Sequence, residues 1–368
     1  MDRFDSFPEQ AEAKRLLGAG LDEGPAHAYL FHGPAGVGKR RAALAFAEAL
    51  LGDDPRVARR SHPDLYVLEP VGDQIRIDPI RELRRDLHMR PFEADRRVYL
   101  VFSADLMNED AADALLKDLE EPPPYALIVL VANDLGPLPE TIRSRCQLVP
   151  FRRLSERAVR EHVAARASTL SDVEVTAVAR VAAGRLDRAE RLLDRDAAAR
   201  RAALLELARG VYTDPEFEPG DAARTLLGAA RERGAAARER AEAELEELEL
   251  PGRDAEQRIR RAERGAEREE LLDSLDELAA WYRDLVVFAA GAERTVVHFD
   301  RLDDLREDAS AGRMRGAERA AELVREAWRA FEEFNVAPQL FLEGLFIALS
   351  RELAGTGVPV GSARSVSS

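Results

Sequence analysis

The chain holds a single cysteine, Cys146, in 368 residues. No internal disulfide can form, and a structural zinc site, which draws four ligands mostly from Cys and His, is not expected. Lysine is nearly as scarce. Lys14, Lys39 and Lys117 stand among 54 basic residues, so 51 are arginine. A GC-rich genome accounts for that excess, and against it a surviving lysine carries information. No apolar run approaches the ~20 residues that span a bilayer. Met1-Asp2-Arg3-Phe4-Asp5 lacks the basic and apolar regions of a signal peptide, so a reducing cytoplasm and no membrane association are expected. Positive charge is also lacking overall. A formal charge of −15 speaks against a free-standing DNA-binding protein, whose footprint is basic. Contact with nucleic acid would need a local basic surface or partners.

What is present suits a helix-rich globular chain of two or three domains, with 46% hydrophobic and 33% charged residues. Residues 28–31, 65–68, 98–102 and 127–131 are nearly continuous apolar runs, the pattern of strands covered on both faces of a parallel sheet. Helical spacing fills 39–51, 78–88 and 109–120 between them, which predicts an α/β domain with right-handed crossovers ending near Phe151. Beyond it the only strand signal is a short Thr295–Phe299 run. Residues 155–166 and 171–195 read as a small helical unit, and long helices follow from about 199. Residues 229–270, dominated by Ala, Glu and Arg and broken at Leu250-Pro251-Gly252, read as a solvated helical hairpin or arm. Residues 318–353 are amphipathic. The tail 356–368, rich in Gly and Ser, is expected to be disordered.

Gly33-Pro34-Ala35-Gly36-Val37-Gly38-Lys39 fits the G-x-x-x-x-G-K phosphate loop, placed between a strand and a helix as the chemistry requires. Glycines let backbone N–H groups converge on phosphate oxygens, the helix N-terminus adds positive potential, and lysine serves the outer phosphates. The next position should be Ser or Thr, whose hydroxyl ligates Mg²⁺. Here it is Arg40, and guanidinium cannot ligate a cation. It either pairs with phosphate or points away. A second deficit lies at the end of the 98–102 strand. Two carboxylates are expected there, one for Mg²⁺ and one to activate water, and the chain has Phe102-Ser103. Asp105, two residues on, would rescue the site only through a shift of register.

From about residue 4 to 160 the sequence resembles the AAA+ clamp-loader subunits of bacterial DNA polymerase III, the delta-prime branch above all. The resemblance is carried by His27-Ala28-Tyr29-Leu30-Phe31, Ile77-Asp78-Pro79-Ile80-Arg81 and Ala104-Asp105-Leu106-Met107-Asn108. Ala114-Leu115-Leu116-Lys117-Asp118-Leu119-Glu120-Glu121-Pro122-Pro123 and Thr141-Ile142-Arg143-Ser144-Arg145-Cys146-Gln147 complete it. The rest matches more loosely, mainly through Asn335-Val336-Ala337-Pro338-Gln339-Leu340. The resemblance implies a RecA-like P-loop domain over 1–151, an all-α lid over 152–198 and an all-α collar over 199–355, with 229–270 as a charged arm within the collar. It also implies a hetero-pentamer with gamma/tau-like motor subunits and a delta-like subunit. That ring belongs to the DNA polymerase holoenzyme and meets the sliding clamp and primed DNA as an assembly.

By the same resemblance, Arg145 is an arginine finger that reaches a neighbour's ATP. Asn133 falls where the family keeps a polar sensor, and equally reads as a turn residue before Asp134. In Gly184-Arg185-Leu186-Asp187-Arg188-Ala189 the second sensor's arginine is replaced by Asp187, and Arg188 is the candidate substitute. Lys117 faces DNA or a neighbour, or is a plain surface lysine. Relatives insert a four-cysteine zinc module before the His-Pro-Asp segment. Here Gly52–Ser61 is short and His62-Pro63-Asp64 follows directly, so no zinc is expected. No cofactor is required. Gly33, Gly36, Val37, Gly38, Lys39 and Arg40 leave room for weak ATP or ADP binding at a vestigial site. The expected role is a non-hydrolysing loader subunit. The alternatives are an active gamma/tau-like motor, against which Arg40, Phe102 and Ser103 count, and a stand-alone P-loop phosphotransferase, which leaves Ser-Arg-Cys and Leu-Glu-Glu-Pro-Pro unexplained.

Overall fold

Five apolar segments pair into one parallel sheet in the order β2-β3-β4-β1-β5. The computed structural model describes residues 4, 7–70, 74–193, 195–246, 252–333 and 337–354. In chain order the elements are α1 (Ala11–Asp22), β1 (Ala28–His32), α2 (Lys39–Leu50), β2 (Leu65–Leu68), α3 (Ile77–Leu87), β3 (Arg97–Phe102), α4 (Glu109–Glu120), β4 (Ala126–Ala132), α5 (Glu140–Arg143) and β5 (Gln147–Pro150). The helical elements that follow are α6 (Glu156–Arg166), α7 (Asp172–Ala182), α8 (Leu186–Leu192), α9 (Arg195–Thr213), α10 (Pro219–Glu246), α11 (Gly252–Ala289), α12 (Leu302–Asp308), α13 (Met314–Glu333) and α14 (Pro338–Ala354). The chain falls into two compact units, Met1–Leu193 and Asp194–Ser368, and helices α6–α8 belong to the first. The tail 356–368, Leu250-Pro251 and Asn335-Val336 lie outside the described residues.

Burial explains the sheet. Every residue of β3 and β4 is buried, as apolar runs covered on both faces must be. One face packs on α1 and α2 through Tyr29, Phe31, Phe46 and Phe151, and the other on α3 and α4 through Leu30, Leu83, Leu115 and Ile128. β5 escapes the sequence pattern because its four residues carry only two aliphatic side chains, Leu148 and Val149, between Gln147 and Pro150, and Leu148 is exposed. Side-chain oxygens start the helices where Ser and Asn precede them. Asn108 accepts from Ala111, Ser155 accepts from Ala158, and Ser171 closes a capping box with Glu174.

His62-Pro63-Asp64 has a structural task. Asp64 is fully buried and accepts backbone N–H groups from Phe92 (2.6 Å), Glu93 (2.8 Å) and Ala94 (2.8 Å), which fixes the turn before β3. Burial alone would raise its pKa. The three N–H donors and the nearby Arg97 outweigh burial, and the carboxyl titrates below its usual range. Arg97, itself buried, pairs with Asp86 at 2.8 Å.

The second unit is all helical among the described residues. Trp281, Tyr282, Leu278, Val324 and Phe346 form its centre, and α13 buries Ala317, Ala320, Ala321, Val324, Ala327 and Phe331 at helical spacing. The 229–270 segment falls on α10 and α11, which pack along each other, laced by Arg233 to Glu270 (2.7 Å) and Glu269 (3.0 Å). The Thr295–Phe299 run, expected as a strand, is not one. Its ends form the short 3-10 turns Glu293–Thr295 and Phe299–Arg301. Its backbone finds no sheet partner. The buried Asp284 instead accepts the N–H groups of Val297 (2.7 Å) and His298 (2.8 Å). The His298 ring is fully buried between Asp284 (2.8 Å) and Glu277 (3.1 Å), with Trp281 edge-on at 5.3 Å. Burial alone would lower its pKa, but the bonds to Asp284 and Glu277 raise it.

Two stability predictions follow from these buried charges. Asp64→Ala strands three N–H groups, and urea titration should show a loss of about 2–4 kcal/mol at neutral pH. A carboxyl with a depressed folded pKa contributes above its unfolded value, about 4, and the contribution is lost as pH falls through the folded value. The gap between wild type and Asp64→Ala should therefore close on acidification, and a gap independent of pH would contradict this account. His298 has the opposite sign. Its contribution is full below about pH 6.5, the unfolded value, and is lost as pH rises through the raised folded value. Both tryptophans, Trp281 and Trp328, lie in the second unit, so fluorescence-detected melts report on it. His298→Gln should cost more at pH 6 than at pH 9.

Candidate functional site

Sheet register assembles the site. His32 lies opposite Ala132 and Phe102 opposite Val131, so the ends of β1, β3 and β4 finish side by side. The next residues along each chain are the glycine loop, Ser103 and Asn133. This is the carboxyl edge of an open α/β sheet, at the point where β1 pairs with β4 on one side and β5 on the other, the place such sheets keep their ligands.

The loop has the backbone a phosphate cradle needs. Gly33 and Gly36 sit at φ +133° and +75°, and a Cβ on Gly33 would stand 2.1 Å from the Phe151 carbonyl oxygen. Gly38 caps α2 in the left-handed region, and Val37 is buried in the core beneath. Lys39, the first residue of α2, is also buried. Its ammonium donates to the carbonyls of Gly33 and Pro34 (both 2.5 Å) and to Asn133 Oδ1 (3.0 Å). Desolvation lowers its pKa to about 8, against the opposing pull of Asp105 and Asp187. Asn133 thus turns its side chain to Lys39, while Asp134 makes the turn by accepting from the Gly136 N–H at 3.0 Å.

Arg40 points away from the loop. Its guanidinium lies over the Phe102 ring at 4.7 Å and donates to Glu69 at 3.1 Å. Arg60 joins the same ring (5.7 Å) and the same carboxylate (3.1 Å). The residue in place of the Mg²⁺-binding hydroxyl is therefore stacked on the residue in place of the metal-binding carboxylate. Ser103 adopts a left-handed conformation (φ +54°, ψ +48°) and steers the chain off β3 into the 3-10 turn Ala104–Leu106. That turn, not a shift of strand register, brings Asp105 within electrostatic reach of Lys39. Burial raises the Asp105 pKa, opposed by the backbone of Asn133 and by Lys39, and its Oδ1 is buried without a hydrogen-bond partner.

Helix α8 closes onto the loop. The Leu186 N–H donates to the Gly36 carbonyl at 2.8 Å. Asp187 stands so close that a Cβ on Gly36 would meet its Oδ1 at 2.0 Å. The same carboxylate accepts from the Arg185 side chain (2.8 and 3.2 Å) and from the Arg188 N–H (2.8 Å). Burial would raise the Asp187 pKa, but Arg185 and Arg191 overcome it and the group titrates below its ordinary range. Next along the helix, Glu190 accepts from Arg41 of α2 and pairs with His162 at 2.8 Å, which brings its pKa down to about 2 against the effect of burial.

Arg145 sits apart from this cluster, on the turn between α5 and β5. It is half-buried, donates to the Thr141 carbonyl at 2.9 Å and pairs with Glu120 at 2.5 Å. Lys117 is exposed on α4, whereas its neighbour Asp118 is buried and ties α4 to Arg84 of α3. Cys146 is a buried free thiol whose pKa burial pushes up to about 12. Sequence reasoning missed Glu69, Arg41, Glu190 and the approach of Asp187 to Gly36. All are contacts between segments far apart in sequence. Only the replacement of arginine by Asp187 left a signal beforehand.

Known proteins with similar sequences cluster in one replication system. A family model described as DNA polymerase III, delta subunit, matches residues 10–155. The DNA polymerase III subunit delta-prime of Bacillus subtilis is 35% identical over 149 residues, 37% of this chain and 45% of that protein. The delta-prime subunit of Pseudomonas aeruginosa is 37% identical over 157 residues, 39% of this chain and 47% of that protein. The tau subunit of Bacillus subtilis is 32% identical over 171 residues, 43% of this chain and 30% of that protein. Each match thus spans less than half of the relative's length. The family-model match, over residues 10–155, covers the sheet, the glycine loop and the Ser144-Arg145-Cys146 turn together. Through residues 10–155 the chain is similar to the delta and delta-prime subunits of bacterial DNA polymerase III.

Proposed function

We propose that this chain is a non-hydrolysing subunit of a bacterial clamp loader, working in the cytoplasm within a hetero-pentamer of gamma/tau-like motors and a delta-like subunit. The observation that carries the reading is the stacking of Arg40 on Phe102. Hydrolysis in a P-loop site needs Mg²⁺ held by a hydroxyl after the lysine and by a strand-end carboxylate. Here one position supplies a cation and the other an aromatic ring, and the two satisfy each other with Glu69. Loss of the metal at both positions costs the motor role but not the loader role, because a ring subunit acts through its surfaces. No zinc or other cofactor is part of this proposal. The sliding clamp and primed DNA would be met by the assembled ring, and the second unit would act as the collar that assembles it.

Arg145 is the residue through which the chain would take part in chemistry. Guanidinium is permanently charged and carries a fork of donors matched to phosphate oxygens. Placed against the γ-phosphate of a neighbour's ATP, it would stabilise charge developing during phosphoryl transfer. Its present partner, Glu120, is a half-exposed carboxylate, so exchange for a polyphosphate costs only a surface ion pair.

The purified chain should show no ATP turnover above background in a steady-state phosphate-release assay with Mg²⁺. A rate typical of a motor, abolished by Lys39→Ala, would overturn the reading. In reconstituted rings, Arg145→Ala should leave assembly unchanged by sizing chromatography and lower DNA- and clamp-stimulated ATPase at least tenfold at the site it serves, since arginine fingers contribute about 10³–10⁵ in rate. Arg145→Lys should rescue poorly. Wild-type turnover in fully assembled Arg145→Ala rings would leave the chain a purely structural subunit.

A further inference from the structure

We propose that the phosphate loop is closed by a plug from the same chain, the carboxylate of Asp187, which excludes nucleotide until α8 is displaced. Three contacts place the plug. The Leu186 N–H bonds to the Gly36 carbonyl, Asp187 Oδ1 occupies the space where a Cβ on Gly36 would stand, and Glu190 on the same helix pairs with Arg41, two residues past Lys39. Together they fasten α8 to the loop at Gly36 and to α2 at Arg41. The inference does not depend on the loader reading, since it rests on geometry within one compact unit.

Electrostatics make this closure unfavourable to a phosphate. A P-loop attracts polyphosphate through converging N–H groups, the N-terminus of its helix and the lysine ammonium. Here Asp105 and Asp187 both act on Lys39, so the positive charge is already opposed by two carboxyl groups. All three ammonium hydrogens of Lys39 have acceptors within the protein, in Gly33, Pro34 and Asn133. Asp187 is held ionised by Arg185 and Arg191. A nucleotide would have to bring further negative charge beside a fixed carboxylate that Arg185 and Arg191 hold in place. An arginine at this position would attract the same phosphates, so the replacement changes the sign of the interaction as well as removing a contact.

The test is binding of fluorescent ADP and ATP analogues to the full chain, with and without Mg²⁺. Wild type should show no saturable binding up to about 1 mM, and Asp187→Ala should bind at least about tenfold more tightly. The double variant Asp187→Ala/Lys39→Ala should lose that gain, which locates it at the glycine loop. Glu190→Gln, which loosens α8 without touching the loop, should give a smaller gain in the same direction. Should Asp187→Ala fail to fold, Asp187→Asn keeps the volume, removes the charge and reads the same property. Micromolar binding by wild type would overturn the plug. So would folded charge-removed variants that bind no better than wild type, or a gain that survives loss of Lys39. None of these results bears on Arg145, so the plug and the loader reading fail separately.

Discussion

The first unit depends on one buried ammonium. Lys39 begins α2 and donates to both carbonyls at the start of its own loop and to Asn133 at the end of β4. A charge in that position is costly unless every hydrogen is bonded. The loop, β4 and α2 are therefore held in one arrangement by the need to satisfy it. The parallel register of β1 with β4 makes that possible, because it sets Asn133 beside the loop. Around this point the ammonium is enclosed by acceptors of the chain itself. The loop survives as a structural joint where the ends of β1, β3 and β4 and the start of α8 meet.

The departures from a working P-loop site are coupled in space. Arg40 alone would leave an exposed cation, and Phe102 alone an exposed ring at the sheet edge. Together with Glu69 and Arg60 they form one stacked, ion-paired cluster, and Phe102 is fully buried as a result. A substitution at either position would leave the partner without its contact. Asp187 extends the same logic to α8, where the residue that replaces an arginine is bonded to Arg185 and Arg188 and packed on Gly36. These contacts tie α2 to β3 and α8 to the loop.

The second unit is built on different physics. Its helices are rich in alanine and arginine, and its specificity comes from buried ion clusters. Arg201 bridges Glu277 and Asp300, His298 lies between Glu277 and Asp284, and Arg209 is shared by Asp304 and Asp308. Such groups add little net stability compared with apolar packing, yet breaking one partner leaves an uncompensated charge. They set the register between α9, α11 and the segment leading into α12, where small alanine side chains would otherwise slide.

The amino-acid sequence by itself determined the α/β character of the first unit, four of its five strands, the glycine loop and the helices of the second. Those features rest on local periodicity and on backbone chemistry, such as glycine at positive φ, which neighbours along the chain dictate. Arg40, Phe102 and Ser103 were legible as losses for the same reason, since each occupies a fixed offset within a motif. What replaced the lost groups was decided only by tertiary structure. Arg40 meets Phe102 across 62 positions, Arg41 meets Glu190 across 149, and Gly36 meets Asp187 from another helix. The short edge strand β5 and the 3-10 turns at Glu293–Thr295 and Phe299–Arg301 were likewise undetermined locally. β5 offers only Leu148 and Val149 as aliphatic residues, and Thr295–Phe299, apolar enough for a strand, had the N–H groups of Val297 and His298 taken by Asp284. Long-range pairing decides such cases because a polar or charged group is indifferent to its partner's place in the sequence and sensitive only to distance and solvent.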